Sequence, residues 1–407
     1  MPMIVKSNRI DQWLARRLLE AVGNPPVCVE LADGQEVLAR GAAQPQVRLR
    51  LHDRNALYAL LYRPTRTFGE LYSQGRLSLD GDIARALDVI YGGILHSERQ
   101  AGSFRRFVRR LFLKNPASNT PKRSKENIHT HYDLGNEFYD LWLDREYTQY
   151  TCAYYTTPQA TLEEAQAAKL ELVCRKLALQ PGDSVVEAGS GWGGLARYLA
   201  RKYGVRVRSY NISREQVAYA RERAEREGLG NAIEYVEDDY RNITGSYDVF
   251  LSVGMLEHVG LENYRSLGVT IDRCLKDDGR GLIHCIGQNI PRHMNEWIES
   301  YIFPGAYPPT LRQMMDIFEP VALSVVDVEN LRPHYARTLE HWRERFEENA
   351  DKVHDLYDEN FVRAWRLYLS GSLSAFTTGQ LQLFQVLFQR PGCTALPITR
   401  KRLFTDD

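Results

Sequence analysis

The sequence predicts an α/β protein: a doubly wound, Rossmann-like sheet with helical insertions, preceded by a small α+β unit. Three observations carry this. Apolar strands alternate with helices from about residue 170. A glycine-rich turn, GSGWGG at 189–194, joins the first of those strands to a helix. The first hundred or so residues show another pattern, with alternating strands among helices. At 407 residues the chain is long enough for two domains.

Residues 9–22 read as a helix, because Ile10, Trp13, Leu14, Leu18 and Leu19 fall at helical spacing. Residues 27–40 and 46–53 alternate apolar and polar and read as strands. Helices follow around 54–63 and 82–95, which gives an N-terminal domain over 1–97. Residues 98–127 differ: nine Lys and Arg and no acid lie between Arg99 and Lys125. Phe104, Phe107, Val108, Leu111 and Phe112 would share one helical face there, flanked by arginines, before a linker with two prolines. That suits a solvated helix packed on a neighbour, or a basic amphipathic element lying on anionic lipid.

The larger domain runs over 128–407. Strands read at 184–188, 205–210, 232–237, 246–254 and 280–287, with helices at 192–203, 213–227 and 261–275. Residues 290–345 interrupt this with helical, aromatic-rich sequence. ALSVVDVEN (322–330) and LQLFQVLFQR supply late strands, the last expected to be antiparallel.

Lys and Arg balance Asp and Glu at 52 each, so no global charge points to nucleic acid. The six cysteines are scattered without CxxC spacing, which suggests reduced thiols in the cytosol. His129 and His131 invite a metal, but no acidic or cysteine partner stands at useful spacing. The stretch MPMIVKSNRIDQW lacks a signal peptide's apolar core. No uncharged apolar run approaches the roughly 20 residues that span a bilayer.

Gly189, Gly191 and Gly194 satisfy G-x-G-x-x-G, a dinucleotide signature. A dinucleotide site also wants an acid at the end of the second strand. Here that strand ends RSYNIS (208–213), and the acid, Glu187, lies before the turn. S-adenosylmethionine carries a sulfonium and an ammonium and no phosphate, so an acid near the turn suits it. EDDY (237–240) places Asp238 or Asp239 where an adenine amine could be accepted. The pattern favours a methyl donor over a dinucleotide.

Further stretches join the glycine turn: HYDLGNEFYDLWLD (131–144), YTQYTCAYY (147–155), SVGMLEHVG (252–260), GLIHCIGQN (281–289) and WIESYIFPGAYPP (297–309). Together they closely resemble the cyclopropane-fatty-acyl-phospholipid synthase family, which includes the mycolic acid cyclopropane synthases and methyltransferases. The resemblance covers about 128–390, and more weakly the first 100 residues, which look like that family's lipid-binding domain. It implies a class I methyltransferase sheet. It also implies S-adenosyl-L-methionine as donor, bicarbonate as bound base, and an unsaturated acyl chain of a membrane phospholipid as acceptor.

The donor site so implied comprises Tyr150, Thr151, Glu187, Gly189, Gly191, Gly193, Asn211, Gln216, Asp239 and Tyr240. The bicarbonate site comprises Cys152, Glu257, His284, Tyr335 and the backbone of Ile286. Thr151 stands where Ser is commoner, Glu187 where Asp is, and Ser190 where Cys is. A homodimer, in the cytoplasm and peripherally bound to the inner face of the cytoplasmic membrane, would fit the same family.

The chemistry explains these residue types. An alkene is a poor nucleophile, so alignment with the sulfonium methyl must supply much of the rate. Attack leaves a carbocation that water would trap, so the pocket must be dry. Aromatic faces stabilise it, and Trp297, Tyr301, Phe303 and Tyr307 form a dense group, most of which core packing would also explain. Ring closure needs a weak base. His284, Tyr335 and a backbone N–H can donate to a small anion, and Glu257 can draw on the anion's own O–H. Two other functions fit: a fatty-acyl methyltransferase that adds a methyl or methylene branch without closing a ring, and a non-catalytic lipid-binding protein. A nicotinamide-dependent oxidoreductase is more distant.

Overall fold

A computed structural model of the chain describes residues 7–41, 44–100 and 134–403. The basic segment from residue 101 onward and the His129 and His131 pair lie outside the described residues. The chain forms two compact units. One holds the described residues up to 100 together with 293–302 and 339–380; the other holds 134–292, 303–338 and 381–403. Among the described residues, no helix is long and apolar enough to cross a membrane.

The first unit opens with the helix Arg9–Ala21, where Asn8 and Asp11 form a capping box. Its sheet has the order β2-β1-β3-β4, from β1 (Val27–Glu30), β2 (Glu36–Leu38), β3 (Val47–Leu51) and β4 (Leu77–Leu79). The strand expected over 27–40 is thus a hairpin. It turns at Gly34, whose φ of 84° suits glycine, and Val29 faces Val37 across it. A second helix, Pro64–Ser73, follows Arg54–Tyr62 at once. Pro64 begins it, since a first-turn N–H needs no helical partner. The helix Glu359–Thr377 packs on Ile83–Gln100 and on Pro64–Ser73. Ser374 donates to Asp88 at 2.6 Å, and Arg363 donates to the Tyr72 carbonyl at 2.7 Å.

The second unit is built on seven strands in the order β10-β11-β9-β8-β5-β6-β7. They are β5 (Ser184–Ala188), β6 (Arg206–Asn211), β7 (Ile233–Glu237), β8 (Tyr247–Val253), β9 (Leu275–Gly287), β10 (Ser324–Asn330) and β11 (Gln382–Gln389). The five strands from β9 to β7 run parallel, and β11 lies antiparallel between β9 and β10. This is the class I methyltransferase arrangement, with the antiparallel last strand expected from the sequence.

The central strands are buried on both faces, so they read as nearly continuous apolar runs. Val185, Leu251 and Leu282 face one core with Leu170 and Val173. Val186, Phe250 and Ile283 face the other with Leu267 and Ile271. Pairing of β8 with β9 starts at Leu275, five residues before the strand expected there, and shifts register between Tyr247 and Val249. A helix absent from the sequence reading, Leu162–Leu177, starts at a Thr161–Glu164 capping box. Its buried side includes Gln166 and Lys169 beside Leu170 and Val173.

Candidate active site at the carboxyl ends of the parallel strands

Open α/β sheets bind ligands beyond the carboxyl ends of their strands. The glycine turn leaves β5 there. Gly189, Gly191 and Gly193 all take positive φ, at 94°, 50° and 78°. A Cβ on Gly193 would lie 2.5 Å from the Tyr235 hydroxyl and 2.7 Å from Ala220, so a side chain fits neither backbone nor space. Tyr235 in turn donates to the Gly193 carbonyl at 2.9 Å. Asn211, at the end of β6, ties the turn to the next helix. Its Nδ2 donates to Ser190 Oγ at 3.1 Å, to the Gly191 carbonyl at 3.3 Å and to Gln216 Oε1 at 2.9 Å. Gln216 therefore presents its Nε2, which is buried and has no partner among the described residues. An orphaned donor beside a turn that only glycine can make fits a polar ligand lying over the turn.

Beneath the turn, the Glu187 carboxylate is buried and receives the Ser209 hydroxyl. Burial pushes its pKa up to about 7, against the lowering effects of Ser209 and of the Lys169 charge. Lys169 is fully buried; burial depresses it to about 8. Its ammonium donates to Gln149 Oε1 at 2.5 Å and to Thr151 Oγ1 at 3.0 Å. The segment 147–155 is pinned from below. The buried Asp144 carboxylate accepts from the N–H groups of Tyr147 at 2.8 Å, Thr148 at 3.1 Å and Gln149 at 2.6 Å. Tyr150 lies among Tyr139 at 5.6 Å, Trp142 at 5.1 Å and Phe303 at 6.4 Å between ring centroids. Tyr139 also meets Trp192 of the glycine turn at 4.8 Å.

The second cluster lies where β8 and β9 end. Glu257 Oε1 accepts the Ile286 N–H at 2.5 Å, and its Oε2 is buried without a partner among the described residues. Burial pushes this carboxyl up to about 7, with the Ile286 bond opposing. His284 precedes Ile286 by two residues, on the same face of β9. Its Nδ1 lies 3.1 Å from Gln385 Nε2, and its Nε2 is buried with no partner among the described residues. Burial and the positive charges of Lys169 and Lys176 hold its pKa well below the ordinary value.

Cys152 is fully buried, which pushes its thiol pKa far up, and the Lys169 charge opposes that. Lys169 thus acts on both Cys152 and His284. The Cys152 Sγ lies 4.0 Å from the Leu331 carbonyl, and Leu331 N–H bonds the Leu383 carbonyl at 2.8 Å. Tyr335 is buried at the start of the helix Arg332–Glu348. The first two turns of this helix hold the Cys152 segment: Thr338 Oγ1 accepts from Ala153 N–H at 3.0 Å, and His334 Nδ1 from Tyr155 N–H at 3.0 Å.

Other expected residues are already engaged. The Asp239 carboxylate caps its own 3-10 turn, accepting from the Arg241 backbone at 2.9 Å and guanidinium at 2.8 Å. Tyr240 is buried, with Arg241 over its ring at 4.9 Å. The Ile286 N–H, expected to face a bound anion, goes to Glu257. The aromatic group divides. Trp297 packs on Gly69 and Tyr301 donates to Glu70 at 2.7 Å, both within the first unit. Phe303 stays beside Tyr150 and lies 5.9 Å from the His258 ring. The sequence reading missed Asp144, Gln149, Lys169, Lys176 and Gln385. A signal for Lys169 existed: it falls on the stripe shared by Leu162, Ala165 and Val173, where a solvated lysine would not sit.

The family model for mycolic acid cyclopropane synthetase matches residues 119–386. The chain belongs to this family. It is a methyltransferase dependent on S-adenosylmethionine, of the group that makes cyclopropane and methylated fatty acids. A separate model, for a domain of unknown function, matches residues 14–97. The cyclopropane-fatty-acyl-phospholipid synthase of Escherichia coli is 40% identical, over 66% of this chain and 69% of that protein. The tuberculostearic acid methyltransferase UfaA1 of Mycobacterium tuberculosis is 33% identical, over 96% of this chain and 93% of that one. Among solved structures, the mycolic acid cyclopropane synthase CmaA1, in complex with SAH and CTAB, is 28% identical. It aligns with a TM-score of 0.62 over 65% of this chain and 98% of its own.

Proposed function

We propose that this family member transfers a methyl carbon from S-adenosylmethionine to a cis double bond of an unsaturated acyl chain in a membrane phospholipid, and closes a cyclopropane ring with bicarbonate as the base. The observation that carries the reading is a matched pair of orphaned atoms. Glu257 Oε2 can only accept while ionised, and His284 Nε2 can carry a proton. Both are buried at the ends of neighbouring strands. Bicarbonate, which has one O–H to give and oxygens that accept, complements that pair. The donor would supply an electrophilic methyl, and the anion a weak base for the proton released on ring closure.

The protein's own groups do the rest. Glu187 sets a carboxylate against the donor's cationic end, and Gln216 Nε2 offers a hydrogen bond. Tyr150, Trp142, Tyr139 and Phe303 wall the site with rings that exclude water and face developing positive charge, at roughly 0.5–2 kcal/mol each. Glu257 accepts the anion's proton and so raises its basicity. Ile286 acts through Glu257, fixing the carboxylate. Cys152 and Tyr335 border the anion.

A second reading has its own support, because the tuberculostearic acid methyltransferase matches nearly the whole chain. The experiment that separates the two uses labelled donor and vesicles of unsaturated phospholipid, with and without bicarbonate. Ring formation gives a lipid that has gained one CH2 and takes up no hydrogen on mild reduction. A product that still takes up hydrogen, or turnover indifferent to bicarbonate, would reject the proposal.

We infer also that the first unit docks on anionic lipid. Trp13 and Ile10 are exposed on a stripe of the helix Arg9–Ala21 that also bears Arg9, Arg16 and Arg17. Tyr62 is exposed on the neighbouring helix Arg54–Tyr62. Each basic residue at such a surface is worth about 1 kcal/mol. Raising salt should release the protein from anionic vesicles; retention at high salt would count against this role.

A further inference from the structure

The orientation of His284 is set from a distance. Lys176 lies in the last turn of the helix Leu162–Leu177 and is 1% exposed, a costly place for an ammonium. It donates to the Glu329 carboxylate on β10 and to Gln385 Oε1 on β11, the latter at 2.7 Å. An ammonium has only donors, so it can meet only the oxygen of an amide. Lys176 therefore decides which way the Gln385 amide points. With Oε1 held, Nε2 faces the cross-strand partner His284, at 3.1 Å from Nδ1. An amide nitrogen only donates, so Nδ1 must be the bare, accepting nitrogen. A neutral imidazole then carries its single proton on Nε2, the atom without a partner among the described residues.

We propose that Lys176 and Gln385 are positioning residues that lock His284 as the Nε2–H tautomer, so that it presents a hydrogen-bond donor to the pocket. The chain of bonds runs from Glu329 through Lys176 and Gln385 to the ring, with one possible polarity at each link. The opposite tautomer would need the Gln385 amide reversed, with its NH2 against the ammonium. This explains why a buried lysine and a buried glutamine meet between the helix Leu162–Leu177 and β11. That the donor serves turnover rests on the function proposed above; the tautomer itself does not.

The test uses full-length protein labelled with 15N-histidine, with the His284 ring signals assigned by their loss in His284→Asn. Gln385→Glu keeps shape and gains charge toward Lys176, but its carboxylate can only accept, so it should draw the proton to Nδ1. Lys176→Met should leave the amide free to turn and give a mixture. In the unsubstituted protein, a protonated Nε2 and bare Nδ1 are expected. Turnover of Gln385→Glu should fall on the order of a hundredfold, as for loss of one fixed donor, with donor KM little changed. A protonated Nδ1 in the unsubstituted protein, or an Nε2–H ring in both variants, would overturn the proposal. A flipped ring with unchanged turnover would instead overturn the donor role of His284 in catalysis, leaving its control by Lys176 and Gln385 in place.

Discussion

Consider replacing Glu257 by Gln. The wild-type carboxyl is 6% exposed, and burial lifts its pKa from the ordinary 4.5 to about 7. In the unfolded chain it titrates near 4.5. Between those values the folded protein holds a proton that the unfolded chain has released, so stability is lost as pH rises through the window. A move from 4.5 to about 7, at about 1.4 kcal/mol per pH unit, costs about 3 kcal/mol. Gln has no proton to lose and keeps an oxygen for the Ile286 N–H. Measured against the wild type, Glu257→Gln should gain most of that energy between pH 5 and pH 8, roughly 5 °C in melting temperature. Turnover should meanwhile fall by roughly 10²–10⁴-fold, because an amide nitrogen cannot accept the anion's proton. The assay is a pair of calorimetric melts at each pH in carbonate-free buffer, so that no anion shields the charge. A melting difference equal at both pH values, or one shrinking as pH rises, would refute the reasoning.

Lys169 carries the opposite sign: burial lowers it from 10.5 to about 8, so the unfolded chain binds the extra proton between those values. Melts should show the wild type gaining stability on Lys169→Met between pH 8 and 10.5; parallel curves would contradict this. Gly193→Ala forces a Cβ to 2.5 Å from the Tyr235 hydroxyl at a φ of 78°. It should cost about 2–4 kcal/mol in melts, and unchanged stability would show that the turn can relax. Gln216→Glu keeps the oxygen that accepts from Asn211 but removes the Nε2 donor, and should weaken binding of S-adenosylhomocysteine about tenfold by calorimetry; equal affinity would mean the amide does not meet the donor. Since Glu187 titrates near 7, the donor's positive charge should expel part of a proton on binding at pH 7. Titrations in buffers of different ionisation enthalpy would detect it, and no proton release would place the cation elsewhere.

What the sequence made legible was local. A strand, a glycine turn and a helix are contiguous, so the donor-side fold could be read from residues 184–203. The late strands could be read from their apolar runs, and the antiparallel direction of β11 from the resemblance to a methyltransferase sheet. The missed elements share a cause. The helix Pro64–Ser73 follows its neighbour without a loop, and Pro64 at the junction reads as the end of one helix as readily as the start of the next. The helix Leu162–Leu177 has Gln166, Lys169 and Lys176 in its buried face, which blurs the apolar period. Those polar residues sit there because they brace groups far away in sequence: Lys176 reaches Gln385 across 209 positions, and Gln385 meets His284 across 101. Spacing does not encode such pairs. Conversely, Trp297 and Tyr301 adjoin Phe303 in sequence but belong to the first unit, where packing accounts for them.

The polar groups at the site share an electrostatic logic that follows from the reaction proposed. Olefin methylation makes a cation within an apolar chain, and a permanent carboxylate beside it would capture it or draw in water. Burial instead brings Glu187 and Glu257 to about 7 and keeps His284 neutral. At pH 7 each of the two carboxyls is thus only partly ionised. In the reaction proposed, the donor's positive charge would favour ionised Glu187, and an anion with its own proton would satisfy Glu257 without leaving two bare negative charges together. Lys169, depressed to about 8, acts on Glu187, Cys152 and His284, so it couples the two clusters. In that proposal the buried lysine, the two high carboxyls and the imidazole act as parts of one device.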